Sequence, residues 1–331
     1  MLFDGIPRVQ LCALPTPLEP LDRLTAALGG RNRIYIKRDD HMSLGTGGNK
    51  LRSLEFWLAE GMQKGCDVFL AAGLPQSNLC RLTAAACCRL GLECRLIHNA
   101  DGPEAGGSLT GNPLLNELMG VRRVYCGAVD EHRRADFVRD YAQDLRRQGR
   151  RPYIVGDPVL GAMGYVQAGV ELAGQLARLP EDVRHIFISA SAGPTEVGLL
   201  FGLCLFGGSF RVHLVSVEYD AGTFWAIADD IFQKLRQRLG VTPAAAMREI
   251  AVFYGQYLGE GYARPTPAAL EAVRQLAALE GIFMETTYNA KVLAGLCDQV
   301  RQGAIPPGEG VCVIHTGGTT ALFGQGSYFM P

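Results

Sequence analysis

The chain is predicted to be an α/β protein with mainly parallel sheets covered by helices, and three observations predict it. Apolar runs of strand length alternate with amphipathic segments of helix length along most of the sequence. Glycine makes up 41 of 331 residues, about 12% against an ordinary ~7%. No repeat or low-complexity tract absorbs that surplus, so the glycines belong to turns between elements. There the backbone approaches something closely or takes positive φ.

The elements follow in order. Arg33 to Lys37 is a short strand ending in the charged turn Arg38-Asp39-Asp40. The loop Gly45-Thr46-Gly47-Gly48-Asn49-Lys50 leads into a helix with apolar positions Leu51, Leu54, Leu58 and Met62. Asp67 to Ala72 is a buried strand, and the turn Gly73 to Asn78 opens a helix from about Leu79 to Leu90. Glu93 to His98 is the next strand; Asp101 to Gly111 is a polar, glycine-rich connection. Asp130 to Arg151 reads as a charged, solvated helix, Pro152 to Val155 as a strand, and Gly164 to Leu176 as a helix.

A second series follows with strand His185 to Ala190, loop Ser191 to Thr195 and the buried helix Val197 to Phe206. Phe210 to Val217 is a strand, and Gly310 to Ile314 runs into His315-Thr316-Gly317-Gly318. Such repetition places ligands at the carboxyl ends of the strands. The length suggests about two domains. No Pro- or Ser-rich linker separates two halves, so a second domain is expected as an insertion.

Charge is balanced, 32 Lys plus Arg against 33 Asp plus Glu. That excludes the concentrated positive field of a nucleic-acid groove or a polybasic membrane surface. The longest nearly apolar run, Val197 to Phe206, is about half a membrane span. No basic-then-apolar signal opens the chain, because its first ten residues contain Asp4 and Pro7. A cytoplasmic protein is expected. The ten cysteines have apolar neighbours and no CxxC spacing, which reads as buried free thiols. With six scattered histidines, no metal site is expected.

Lysine is the informative basic residue. Only five occur: Lys37, Lys50, Lys64, Lys234 and Lys291. Lys50 stands in a glycine loop at a helix start, where the dipole disfavours a cation. An amine among small residues at the mouth of a sheet can lose its proton, as Schiff-base chemistry requires. Ser191-Ala192-Gly193-Pro194-Thr195 has the strand–loop–helix setting that offers N–H groups to an anion. A tight βα turn explains that loop equally well, and neither GxxxxGK[ST] nor a Rossmann fingerprint is present. Gln76-Ser77-Asn78 supplies donors at another strand end, or simply a helix cap.

Together, TGGNKLRSLEF, QSN, Glu260-Gly261-Tyr262, LEGIFMETTYNAKVLAGL and VIHTGGTTALF resemble the D-cysteine desulfhydrase and 1-aminocyclopropane-1-carboxylate deaminase family. The likeness runs from about Leu14 to Phe323. It implies a fold type II (tryptophan synthase β-like) pyridoxal-phosphate enzyme with two open, twisted, mostly parallel sheets flanked by helices. It further implies a cofactor-binding domain of 1–48 plus 160–331, a smaller inserted domain of 49–159, and a homodimer. Lys50 would hold pyridoxal 5'-phosphate as a Schiff base, beside Asn49. Asn78 would bond the ring hydroxyl, Ser191, Ala192, Gly193, Pro194 and Thr195 would cradle the phosphate, and Thr316 would approach the ring nitrogen. Ser77, Gln76, Asn78 and Leu79 would surround the substrate, with Tyr262 and Tyr288 facing its reacting carbons.

The expected reaction is loss of sulfide from a small amino acid such as D-cysteine, giving pyruvate and ammonia. Alternatives are ring-opening deamination, cysteate sulfo-lysis and non-catalytic binding. Four positions depart from the family pattern. Asn289 stands where the deaminases have glutamate, which ranks ring opening below C–S lysis. Ser53 replaces a usual lysine, Leu79 a polar residue, and Pro194 has no N–H to give a phosphate. Each such loss is expected to cost about 1–3 kcal/mol of cofactor binding if nothing replaces it.

Overall fold

A computed structural model describes residues 2–103, 109–191 and 193–330. The first elements are β1 (Leu18–Pro20), α1 (Asp22–Ala27), β2 (Ile34–Arg38), α2 (Lys50–Gln63), β3 (Val68–Gly73), α3 (Asn78–Leu90) and β4 (Glu93–His98). Next come α4 (Asn112–Leu118), β5 (Arg122–Tyr125), α5 (Glu131–Arg147), β6 (Pro152–Ile154), α6 (Pro158–Leu176), β7 (Val183–Ala190) and α7 (Pro194–Cys204). The last are β8 (Arg211–Ser216), α8 (Ala221–Leu239), α9 (Met247–Ile250), β9 (Ala251–Tyr254), α10 (Pro267–Glu280), α11 (Asn289–Arg301) and β10 (Gly310–His315).

Two sheets result. One has six strands in the order β1-β2-β10-β7-β8-β9, the other four in the order β5-β4-β3-β6. Every pairing is parallel except β1 with β2. The strands β2 and β10 are buried along their whole length. That is why Ile34–Ile36 and Val311–Ile314 read as continuous apolar runs rather than alternating ones.

Several boundaries differ from expectation for identifiable reasons. The helix expected from Gly164 starts at Pro158, because Asp157 accepts from the Leu160 N–H and proline suits the first helical position. The charged helix stops at Arg147 rather than Arg151. Of the polar connection 101–111, residues 104–108 lie outside the described residues. Among the ten cysteines, Cys88 is exposed, which corrects the expectation of uniform burial. No helix among the described residues is long and apolar enough to cross a membrane.

The apolar helices α6 and α7 pack at backbone distance through small residues. A Cβ added to Gly202 would lie 2.3 Å from the Val166 carbonyl oxygen and 3.0 Å from the Gly169 Cα. Alanine there gains about 1 kcal/mol of helix propensity, but separating two buried helices costs about 1–3 kcal/mol. Gly202→Ala is therefore expected to lower the urea midpoint. An unchanged or higher midpoint would show that the helices part at no cost.

Candidate active site

The loops at the carboxyl ends of β2, β7 and β10 meet because these strands are neighbours. Gly48 and Gly317 form an isolated bridge, and the Asn49 N–H donates to the Thr316 carbonyl at 2.9 Å. Gly317 has φ of 90°, and a Cβ on it would lie 2.5 Å from the Gly48 Cα. Only glycine allows this approach. The lysine loop is thus fastened to the loop that carries Thr316.

Lys50 is partly buried at the first position of α2. Its Nζ lies 3.4 Å from the Thr195 hydroxyl, which also accepts from Asn49 Nδ2 at 3.0 Å. No carboxylate among the described residues lies within ion-pair distance of that amine. Removal from water lowers its pKa, opposed by the charges of Glu196 and Glu218. An amine so placed fits the lysine that pyridoxal phosphate requires.

At the far end, Asn289 is buried and fully engaged. Its Oδ1 accepts from the Thr316 N–H at 2.9 Å and hydroxyl at 3.0 Å, while Nδ2 donates to the Gly317 carbonyl and to Glu285. The buried Glu285 carboxylate accepts in addition from the N–H groups of Thr287, Tyr288 and Asn289 at the start of α11. Burial raises its pKa, and those N–H donors oppose the rise. Beside them the Tyr262 and Tyr288 hydroxyls lie 2.5 Å apart. Burial, then the Tyr262 hydroxyl, pushes Tyr288 well above the usual phenol range.

The QSN turn is occupied by structural bonds. Ser77 Oγ caps α3 through the Cys80 N–H at 3.3 Å. Gln76 binds the Thr110 carbonyl and the Asn112 N–H, so its amide ties two loops together. Asn78 Oδ1 accepts from Asn112 and Arg81, leaving Nδ2 as its available donor. A Cβ on Gly318 would lie 2.6 Å from that Nδ2. Leu79 is partly buried against the main apolar core.

The phosphate end holds the largest differences from expectation. Ala192 lies outside the described residues. Pro194 is the first residue of α7, with Gly193 preceding it at φ of 90°. Ser53 is buried and donates to the Gly161 carbonyl, so residue 53 serves the contact of α2 with α6. Sequence reasoning missed Glu196, whose Oε1 accepts from the N–H groups of Ser191 and Gly193. Its signal was legible: glutamate three residues past a helix-opening glycine is half of a capping pattern. It also missed Lys291, buried and donating to the Leu258 and Gly261 carbonyls just before Tyr262. Among the described residues no group of three His, Cys, Asp or Glu side chains gathers to hold a metal.

These loops surround an unpaired amine at the mouth of a parallel sheet, and a family model described as pyridoxal-phosphate dependent enzyme matches residues 9–317. The chain belongs to this family of pyridoxal-phosphate dependent enzymes and has its type II fold. It is 37% identical to D-cysteine desulfhydrase of Salmonella choleraesuis over 322 residues, 96% of this chain and 95% of that one. The D-cysteine desulfhydrase of Salmonella paratyphi C matches at the same identity and coverage. A solved structure described as an ACC deaminase homologue superposes with a TM-score of 0.88 at 31% identity, covering 99% of this chain and 96% of its own. Threonine deaminase isoform 2 from Solanum lycopersicum shares the fold alone, with a TM-score of 0.66 at 16% identity, covering 93% of this chain and 80% of its own.

Proposed function

We propose that this enzyme is a carbon–sulfur lyase that eliminates sulfide from a small amino acid, with D-cysteine as substrate and pyruvate and ammonia as products. The observation that supports it best is the ring-nitrogen end of the site. There Asn289, an amide, is saturated by Thr316, Gly317 and Glu285, and Glu285 is consumed by backbone N–H groups. Among the described residues at this end no carboxylate is left free to protonate a ring nitrogen, as ring opening would need. The 37% identity to D-cysteine desulfhydrases agrees with this reading.

When bound, pyridoxal phosphate supplies the electron sink for charge developing at the substrate Cα. Lys50 and Asn49 would hold its reactive end, Asn78 the ring hydroxyl, Thr316 the ring nitrogen, and Ser191, Gly193 and Thr195 the phosphate. Ser77, at the N-terminus of α3, would orient the substrate carboxylate with its hydroxyl proton while Gln76 holds the turn in place, and Leu79 adds an apolar wall. Lys50 Nζ would take the Cα proton as general base. The paired Tyr262 and Tyr288 hydroxyls stand beside the leaving group and supply a proton to sulfur. The unsaturated amine that departs then hydrolyses in water. Residues 49–159 form the smaller inserted domain in this reading, against 1–48 and 160–331. A cytoplasmic homodimer is part of the same proposal. Ten free thiols support the location, and sedimentation would test the assembly.

A panel of D-cysteine, L-cysteine, cysteate and 1-aminocyclopropane-1-carboxylate tests the assignment. Equal amounts of sulfide and pyruvate from D-cysteine are the expected result. Ring opening is the second reading, favoured by the ACC deaminase homologue. Formation of 2-oxobutyrate from the cyclopropane substrate alone would establish it instead.

A further inference from the structure

Glu196 is the third residue of α7, only 3% exposed, in the loop region assigned to the cofactor phosphate. Its Oε1 accepts from the Ser191 N–H at 2.6 Å and from the Gly193 N–H at 3.1 Å. Pro194 contributes no N–H, and the Thr195 hydroxyl, which accepts from Asn49 and Lys50, has one proton to give. Two backbone donors that a phosphate would use here are therefore held by an anion of the chain itself. We propose that Glu196 is a resident anion in the phosphate cradle, and that pyridoxal phosphate displaces it as its carboxyl takes up one proton. The inference rests on the cofactor binding at Lys50 and on nothing about the substrate.

Two anions cannot share one pair of N–H donors. Once the phosphate holds them, a charged Glu196 would be left buried beside a doubly negative group. The charges facing it offer little relief. Lys50 approaches from α2, and removal from water weakens its hold on a proton. Glu218, after β8, is a second carboxylate, hydrogen-bonded by Ser191 Oγ and influenced by Glu131 and Arg134 of α5. From α8, Ile227 and Ile231 pack on Gly193 and carry no charge. Protonating an ordinary glutamate near neutral pH weakens binding by a few hundred-fold. Leaving it ionised in a water-poor pocket against a dianion weakens binding more.

The test compares pyridoxal phosphate with pyridoxal, which lacks the phosphate but joins the same lysine. Affinities of cofactor-free protein for both are read from the visible band between about pH 7 and about pH 9, where free phosphate esters are already dianions. In the wild type the affinity ratio should fall about tenfold per pH unit, the slope of one proton bound. In Glu196→Gln the ratio should be flat and pyridoxal phosphate should bind at least about tenfold more tightly. Calorimetry in two buffers of different ionisation heat should show one more proton taken up with pyridoxal phosphate than with pyridoxal, because the change at Lys50 is common to both. A flat wild-type ratio overturns the proposal, and it needs no variant to fold. Pyridoxal giving the band in that case leaves the Lys50 site standing. Uptake of neither compound overturns the cofactor site and the proposal together.

Discussion

Replacing Lys50 with alanine should abolish the visible band of the lysine-bound cofactor and lower turnover by about 10³-fold or more, because one side chain both anchors the cofactor and moves the Cα proton. No other lysine can stand in. Lys37 is buried and spent on Glu171, Gln175 and the Thr16 carbonyl. Lys291 is spent on two carbonyls, while Lys64 and Lys234 pair with Glu60 and Asp230 at the surface. Arginine at position 50 should also lack the band, since a guanidinium does not give up its proton. A persisting band in Lys50→Ala would move the cofactor to another amine and end the assignment.

The second large effect is expected two residues further along α2. Arg52 is 1% exposed and donates to Asp39 at 2.8 and 2.9 Å and to Glu171 at 3.0 Å through two nitrogens. Asp39 accepts from the Thr16 and Tyr165 hydroxyls as well, and Lys37 completes the cluster at Glu171. Arg52→Ala leaves two buried carboxylates without their main counter-charge and should cost about 3–5 kcal/mol in urea unfolding.

The pH dependence has a definite sign. Burial alone would raise the pKa values of Asp39 and Glu171, but the Arg52 guanidinium together with Lys37 more than offsets it and both are held below the carboxylate range. Their contribution is fully present above the unfolded pKa values, near 4, and is lost as pH falls through the depressed folded values. In Arg52→Ala that order reverses, so the variant should recover part of its deficit between about pH 7 and about pH 5. Stability within about 1 kcal/mol of wild type would reduce the cluster to an exchangeable surface pair.

Much of this fold was legible because its central strands are covered on both faces. The runs at 68–73 and 310–314 announce themselves by lacking polar side chains. The edge strands β1, β5 and β9 did not, although β6 did. β1 is only three residues and ends in Pro20, and β5 begins Arg122-Arg123 with partly exposed side chains. Short or charged edges deter pairing with other chains, and the same composition hides them from a pattern search.

The site was legible wherever a rare residue met a glycine loop, as at Lys50. It was not where meaning comes from distant partners. Lys37 reads as an ordinary strand-end base until Glu171 is placed against it from α6. Asn289 reads as a lost carboxylate, yet it clips Thr316 and Gly317 to α11.

The place of β10 in the larger sheet has a consequence for biosynthesis. This strand lies between β2 and β7, although it is the last of the ten to leave the ribosome. Until it is inserted, β2 and its lysine loop have no parallel neighbour, and Thr316 and Gly317 are not yet present to receive them. The four-stranded sheet at 68–154 can assemble early, whereas the cofactor pocket closes only near the end of translation. A nascent chain therefore carries an exposed β2 edge for most of its synthesis and a second, on β7, from residue 190 onward, and a premature stop before Gly310 yields neither a pocket nor a finished sheet.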